Sequence, residues 1–147
     1  MSIIGLDLAG VESRLTGLCI LMDMKAETSI AHKDEEVFKR IERSKPKVVA
    51  IDAPLSLPSG RESIEQRTNV HLRECDKELL RRGIKFFPVT LGPMRKLTVR
   101  GMNLKRTLEN KHFRVIEVYP GGAQDILGIP RKQRGLDKLR TGLERVG

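Results

Sequence analysis

The sequence predicts an α/β domain with a five-stranded mixed sheet, in which a three-stranded antiparallel meander and two parallel strands are flanked by helices. Two observations predict it. Five short apolar segments have the length of strands, and amphipathic segments with helical spacing separate the later ones. The chain has 147 residues, which is enough for one compact domain and too few for two. We therefore expect residues 1–147 to form a single domain.

The five strand segments follow one another in an order that restricts the topology. Their ranges are 2–10, 15–24, 26–32, 47–54 and 112–120. The first three leave no room for an intervening helix, so they must pair as an antiparallel meander. Helical crossovers lead into the fourth and fifth strands, which favours a parallel, adjacent arrangement of strands one, four and five.

The helical segments are recognised by apolar spacing and by end signals. We predict helices over 34–46, 64–82 and 94–111, a short helical turn over 123–128 and a final amphipathic helix marked by Leu136, Leu139, Leu143 and Val146. The first carries acids in its first turn, as the helix dipole favours. Gly83 is the expected stop of the second, and residues 84–93 are expected to be irregular.

The net charge of +9 is confined to one part of the chain. Residues 1–60 hold 8 Lys and Arg against 9 Asp and Glu, whereas residues 61–147 hold 20 against 10. A basic half indicates a polyanionic partner, most simply nucleic acid. A solvated surface rich in Lys and Arg, as in thermophile proteins, explains the charge equally well.

Several classes of protein are disfavoured by composition. No apolar run reaches the ~20 residues of a membrane span, so no membrane partner is expected. The N-terminus lacks a basic region and already contains Asp7, which argues against a signal peptide. Cys19 and Cys75 lie in apolar patterns rather than metal-binding pairs. We predict that both are reduced core residues of a cytoplasmic protein.

Three predicted strands deliver an acid at their carboxyl end, two or three residues before a residue that stops the strand. These acids are Asp7 in "IIGLDLAG", Asp52 in "VVAIDAP" and Glu117 in "RVIEVYP". If these strands are parallel neighbours, the three carboxylates converge at the sheet edge where α/β proteins bind ligands. The alternative for each acid taken alone is a residue that caps a turn.

Converging carboxylates repel one another unless a cation neutralises them. Oxygen ligands without Cys or His favour Mg²⁺ or Mn²⁺. Two such ions can activate water and stabilise the leaving oxygen in phosphodiester hydrolysis. The pattern therefore predicts a divalent-metal site.

Basic residues after Asp52 are candidates for substrate binding. Arg73 and Asp76 are expected on one face of the second helix, with Arg61 preceding it. There Arg73 would face a substrate phosphate or one of the three carboxylates, and Asp76 would orient it. An ordinary surface pair is an equally good interpretation of Arg73 and Asp76. A further basic group follows Phe86 and Phe87, which offer base stacking or, more commonly, core packing. This group comprises Arg95, Lys96 and Arg100.

The chain resembles the RNase H-like superfamily, and more closely an uncharacterised family within it described as predicted nucleases, domain of unknown function 429. The resemblance rests on "IIGLDLAG", "AIDAPLSLP", "RECDKELLRRGI" and "VIEVYPGGAQDILGIPRK". It implies an RNase H-like domain in which Asp7, Asp52 and Glu117 are metal-binding and catalytic. Such nucleases commonly take a further acid from a C-terminal helix. Asp125 is slightly favoured over Asp137 for that position.

We therefore expect a divalent-metal-dependent nuclease that hydrolyses phosphodiester bonds in nucleic acid. One alternative is a non-catalytic RNase H-like module that binds nucleic acid or a protein partner. A second is a nucleotide-binding protein of the related actin and sugar-kinase fold. The second lobe that encloses ATP in such kinases is missing from the sequence, which argues against that alternative.

Overall fold

The computed structural model describes residues 2–146 and contains the expected mixed five-stranded sheet. The strands are β1 (Ser2–Asp7), β2 (Thr16–Met22), β3 (Lys25–Ala31), β4 (Val48–Asp52) and β5 (Val115–Glu117). Their order in the sheet is β3-β2-β1-β4-β5. β2 is antiparallel to both of its neighbours, whereas β4 is parallel to β1 and to β5. The predicted meander and the predicted parallel pairings are both confirmed.

Five α-helices and one 3₁₀ turn accompany the strands within residues 2–146. They are α1 (Asp34–Ser44), α2 (Glu74–Arg81), α3 (Gly92–Asn110), α4 (Pro120–Ile126), a 3₁₀ turn (Lys132–Arg134) and α5 (Leu136–Val146). α1 begins with three consecutive acids, as its sequence predicts. The predicted turn near 123–128 is a helix of seven residues that starts at Pro120. Proline suits a first helical position because its missing N–H would have no partner there.

The prediction of a long helix over 64–82 is wrong in its first half, because α2 begins only at Glu74. The preceding loop wraps around the buried guanidinium of Arg61. This group donates hydrogen bonds to the main-chain oxygens of Ser63, Ile64, Gln66, Thr68 and Val70. In a helix, these carbonyls would accept hydrogen bonds from the main-chain N–H groups four residues later. Arg61 satisfies them instead and so stabilises an irregular path.

β5 is shorter than the predicted segment 112–120. The residues before it close the end of α3, since the N–H groups of His112 and Phe113 donate to carbonyls of Glu109 and Leu108. The residues after it turn into α4 at Pro120. Both ends of the predicted strand are therefore used by neighbouring helices.

The chain divides into two compact units. The sheet unit comprises the residues up to Arg73 together with Phe87–Val118, and so contains the whole sheet, α1 and α3. The helical unit comprises Glu74–Phe86 and the residues from Tyr119 onward, with α2, α4 and α5. The prediction of a single domain stays a prediction.

One apolar core fills the sheet unit, between one face of the sheet and α1 and α3. It includes Ile4, Leu6, Leu18, Val37, Ile41, Val49, Ile51, Leu104 and Leu108, each at most 2% exposed. These residues alternate along the strands and recur every three or four positions along the helices, the two periods that put side chains on one face. The core holds the carboxyl ends of β1 and β4 in fixed positions.

Some residues predicted to be buried are exposed instead. Cys75 is exposed and Cys19 half-buried, so the prediction of a core position is wrong for Cys75; neither cysteine forms a disulfide within residues 2–146. Leu136 and Leu143 on α5 are about half exposed, and Phe87 is 69% exposed. No helix within residues 2–146 has both the length and the apolar character needed to cross a membrane.

Candidate active site

Asp7 and Asp52 end two neighbouring parallel strands at the same level. They are register partners in the pairing of β1 with β4. Paired positions in a sheet project to the same face, because successive side chains alternate between faces. Two carboxylates that are 45 positions apart in the sequence therefore lie side by side at the carboxyl edge of the sheet.

The electrostatics of Asp52 reflect this arrangement. The pKa of Asp52 is raised from its ordinary value of 3.8 to about 6, first by burial and in addition by the negative charges of Asp7 and Glu117. Burial disfavours an ionised carboxylate, and nearby like charges do the same. A cation placed between Asp7 and Asp52 would relieve both effects.

Glu117 occupies a different position from the two aspartates. It pairs with Ile51, one residue before Asp52, so the pleat of the sheet directs its side chain to the other face. Its Oε2 accepts a hydrogen bond of 2.7 Å from Arg73 and one of 2.8 Å from the main-chain N–H of Leu55. Glu117 therefore anchors the end of β5 to the loops on either side of the site.

The carboxylates of Asp7 and Asp52 decide which kind of metal ion this site could hold. No group of three or more His, Cys, Asp or Glu side chains within residues 2–146 is arranged to hold a metal ion. Asp7 and Asp52 offer two carboxylates, which fits Mg²⁺, an ion that keeps several waters and uses one or two protein carboxylates with substrate phosphates. The assignment of Glu117 and Asp125 as further ligands stays a prediction.

Asp125, the favoured fourth acid, lies in α4 of the helical unit. Both of its oxygens are bound by Arg131, at 2.9 Å from Nε and 2.6 Å from Nη2. The Arg131 guanidinium holds the pKa of this carboxyl below its ordinary value. Asp125 is thus engaged in a bidentate ion pair, a structural role that its sequence position alone did not predict.

The residues proposed around the second helix are largely buried. Arg61 and Arg73 are each 8% exposed, and Asp76 is 1% exposed. Arg73 directly precedes the first residue of α2, and Asp76 lies in the first turn of that helix. Within the helical unit, the thiol of Cys75 lies 3.8 Å from an oxygen of Asp76. Arg61 organises its loop, and Arg73 holds Glu117.

The basic residues of α3 line a cavity of about 610 Å³ in the sheet unit. Arg100 is buried there, where it binds Asp34 at 2.6 Å and the carbonyl of Ala9 at 2.7 Å. Arg95 forms an ion pair with Glu65. The exposed Lys96 is in no hydrogen bond or ion pair within the described part of the chain.

Asn103 also lines this cavity and was not singled out from the sequence. It lies seven residues after Lys96 and three after Arg100, a spacing that puts all three on one face of a helix. That spacing was the signal available for finding it. The cavity is thus lined by three cations, of which Arg95 and Arg100 are paired with acids, by the amide of Asn103 and by a third acid, Glu12.

The comparisons with known proteins place the chain in a family. The sequence pattern of the family described as protein of unknown function, DUF429, matches residues 5–144. No curated protein matches the chain. No solved structure matches it either. Because the family match spans nearly the whole sequence, the chain belongs to the DUF429 family of proteins of unknown function.

Proposed function

We propose that this protein is a divalent-metal-dependent nuclease with an RNase H-like sheet, which hydrolyses phosphodiester bonds in nucleic acid. The observation that carries the proposal is the pairing of Asp7 with Asp52 at the carboxyl ends of adjacent parallel strands. The strand order β3-β2-β1-β4-β5, in which only β2 runs against the others, supports the fold assignment.

The roles of the residues follow from their positions. Asp7 and Asp52 would hold Mg²⁺ or Mn²⁺ through carboxylate oxygens. Such an ion, when bound, supplies Lewis-acid activation of the phosphate and lowers the pKa of water. Arg73 and Glu117 fix the loop that begins after Asp52, through the ion pair of 2.7 Å and the hydrogen bond to Leu55. This keeps the paired aspartates in place as a substrate phosphate approaches.

Two features of the sheet unit support nucleic acid as the partner. Lys96 presents an ammonium on α3 that has no partner among residues 2–146, beside a cavity large enough for a base or a phosphate group. Phe87 exposes 69% of its surface, which suits stacking on an unpaired base better than packing in a core. The net charge of +9 favours approach of a polyanion.

Cleavage of labelled single-stranded, double-stranded and junction substrates in Mn²⁺ or Mg²⁺ tests the proposal. We expect cleavage by the wild-type protein and a loss of at least about 100-fold in Asp52→Asn, as for loss of an essential charged group in a site. Glu35→Gln is the matched control, because Glu35 is an exposed acid paired with Lys39. Cleavage that survives in Asp52→Asn would contradict the assignment of the site.

A non-catalytic module that binds nucleic acid is the second candidate. It is favoured by the engagement of Glu117 with Arg73, which leaves no three-acid group within residues 2–146. Salt-dependent binding without cleavage in any metal would decide for this candidate. Binding that is insensitive to salt would instead contradict nucleic acid as the partner.

A further inference from the structure

The helical unit contains a groove of about 840 Å³ that the carboxylate site does not use. It is lined by the segment that follows α2, by the end of α4, and by the chain from Gly128 to Arg134. Sites for small organic ligands have volumes of roughly 300–1,000 Å³. The groove is therefore large enough for a mononucleotide.

The charges that line the groove are unequal. Arg82, Lys85, Arg131 and Arg134 contribute four cations, against one acid, Asp125. Two of these cations are neutralised within the unit, since Arg131 is bound by Asp125 at 2.6 Å and Arg82 by Glu78 at 2.7 Å.

The other two cations, Lys85 and Arg134, are in no side-chain hydrogen bond or ion pair within residues 2–146. The groove thus keeps about two positive charges, which matches the charge of −1.5 to −2 on a phosphate monoester at neutral pH.

One wall of the groove is held rigidly by Arg131. Besides Asp125, its guanidinium donates to the hydroxyl of Tyr119 at 3.0 Å and to the carbonyl of Lys85 at 3.1 Å. It also lies 5.5 Å from the centre of the Tyr119 ring. This network joins the three chain segments that line the groove before any ligand arrives, which reduces the entropy lost on binding.

The groove also has an apolar surface and uncommitted amides. Ile84 and Ile129 line it and are each 4% exposed, while Ile126 is 67% exposed at its rim. The side-chain amides of Gln124 and Gln133 line it without hydrogen-bond partners in the part of the chain that the structure describes. An apolar surface with nearby amides suits a planar heterocycle that carries polar edges.

We propose that this groove binds a nucleotide, with the phosphate at Lys85 and Arg134 and the base against the exposed Ile126. Adenosine monophosphate is a suitable probe, because it combines one phosphate monoester with one base. The proposal is independent of the nuclease activity, since each residue it uses lies in the helical unit and the paired aspartates belong to the sheet unit.

The test is calorimetric titration with adenosine monophosphate, adenosine and inorganic phosphate, combined with ¹H–¹⁵N chemical-shift mapping. We expect adenosine monophosphate to bind and to shift the amide signals of Ile84, Gly128 and Gln133. Lys85→Gln and Arg134→Gln should each weaken binding by about tenfold, the effect of losing one charged hydrogen bond. Both residues are exposed, so the substitutions leave the fold intact.

Lys132→Gln is the matched control, because Lys132 lies beside Arg131 but does not line the groove. It should bind as the wild type does, and so should Asp52→Asn, which separates this test from that of the nuclease. Equal affinity in the wild type and in both groove variants would overturn the proposal. It would also be overturned by the absence of binding up to about 10 mM, or by inorganic phosphate or adenosine binding as tightly as the nucleotide.

Discussion

Asp7 and Asp52 are register partners at the ends of β1 and β4, and the charge of Asp7 adds to the burial that raises the pKa of Asp52 to about 6. The fold therefore places two like charges side by side at a point where its own stability gains nothing from them. Unfavourable electrostatics concentrated in one place are typical of functional sites. The pairing of Asp7 with Asp52 can therefore be tested through the stability of the protein, without knowledge of the substrate.

The stability of the protein should fall as the pH rises through the titration of Asp52. The folded-state pKa of about 6 lies above the ordinary value of 3.8, so between these values the folded state holds a proton that the unfolded state has lost. At pH 7 this costs about 1–2 kcal/mol, after allowance for partial solvent screening.

Asp52→Asn should therefore raise the free energy of unfolding by about 1–2 kcal/mol at pH 7 and by much less at about pH 3.5. Urea unfolding at the two pH values measures the difference. Glu35→Gln is a control of opposite sign, because Lys39 lowers the pKa of Glu35. An Asp52→Asn protein that is less stable than the wild type at pH 7 would contradict the repulsion between the aspartates.

Divalent cations should stabilise the wild-type protein through the paired aspartates. An ion that binds with a dissociation constant of about 1 mM adds about 1.4 kcal/mol at about 10 mM, or roughly 3–5 °C in Tm. Differential scanning fluorimetry in Mn²⁺ measures the shift, which Asp7→Asn and Asp52→Asn should both abolish. Asp137→Asn should keep it. An equal shift in Asp52→Asn would place the ion elsewhere.

The Arg73–Glu117 ion pair should contribute more to stability than a surface pair does. The Arg73 side chain is 9% exposed and that of Glu117 is 30% exposed, whereas Lys39 and Glu35 are each 72% exposed. We expect Arg73→Met to cost about 2–4 kcal/mol because it leaves Glu117 without its charged partner. Lys39→Met should cost less than about 1 kcal/mol. Similar losses in chemical denaturation would argue against an anchoring role for Arg73.

Gly101 permits the close approach of α3 to the loop that follows Asp52. A Cβ at Gly101 would lie 2.8 Å from the carbonyl oxygen of Pro54 and 3.2 Å from the Cβ of Ala53. We expect Gly101→Ala to destabilise the protein by about 1–3 kcal/mol, since main-chain atoms cannot move aside cheaply.

Gly92 is the matched control for Gly101, because it lies in the same helix and a Cβ there would meet no atom within 4 Å. Gly92→Ala should be neutral or slightly stabilising, as alanine is the better helix former. Thermal denaturation of both variants decides the point. Equal melting temperatures for the two variants would contradict close packing at Gly101.

Much of the sheet unit could be predicted, because strands are recognised from local sequence and their pairing follows from the lengths of the connections between them. Each strand was visible as a short apolar segment, and the lengths of the connections decided which strands pair as a meander and which lie parallel. Those rules also brought Asp7 and Asp52 to the same edge. The resemblance to domain of unknown function 429, seen in "DAPLSLP" and "EVYPGGAQ", is confirmed by the match over residues 5–144, whereas membership of the RNase H-like superfamily stays a prediction.

The loop before α2 was predicted as part of a helix because apolar residues from Val70 to Leu80 recur at helical spacing. Its path depends on one buried side chain, Arg61, which binds carbonyls from Ser63 to Val70. Helical periodicity cannot reveal such a contact. The pattern around Cys75 also suggested burial, although Cys75 is exposed. Helical spacing shows which residues share a face of a helix, but the residues that cover that face come from elsewhere in the fold.

The sequence by itself determined the order and direction of the strands and the placement of an acid at the end of three of them. Only the tertiary structure decided what each acid does. Asp7 and Asp52 are paired by register, Glu117 is held by Arg73 from 44 positions away, and Asp125 is bound by Arg131. The physical reason is that the alternation of side chains along a strand, and their period along a helix, follow from the backbone geometry of a single segment. The charge that neutralises a carboxylate is instead set by whichever distant side chain the fold brings within hydrogen-bonding distance.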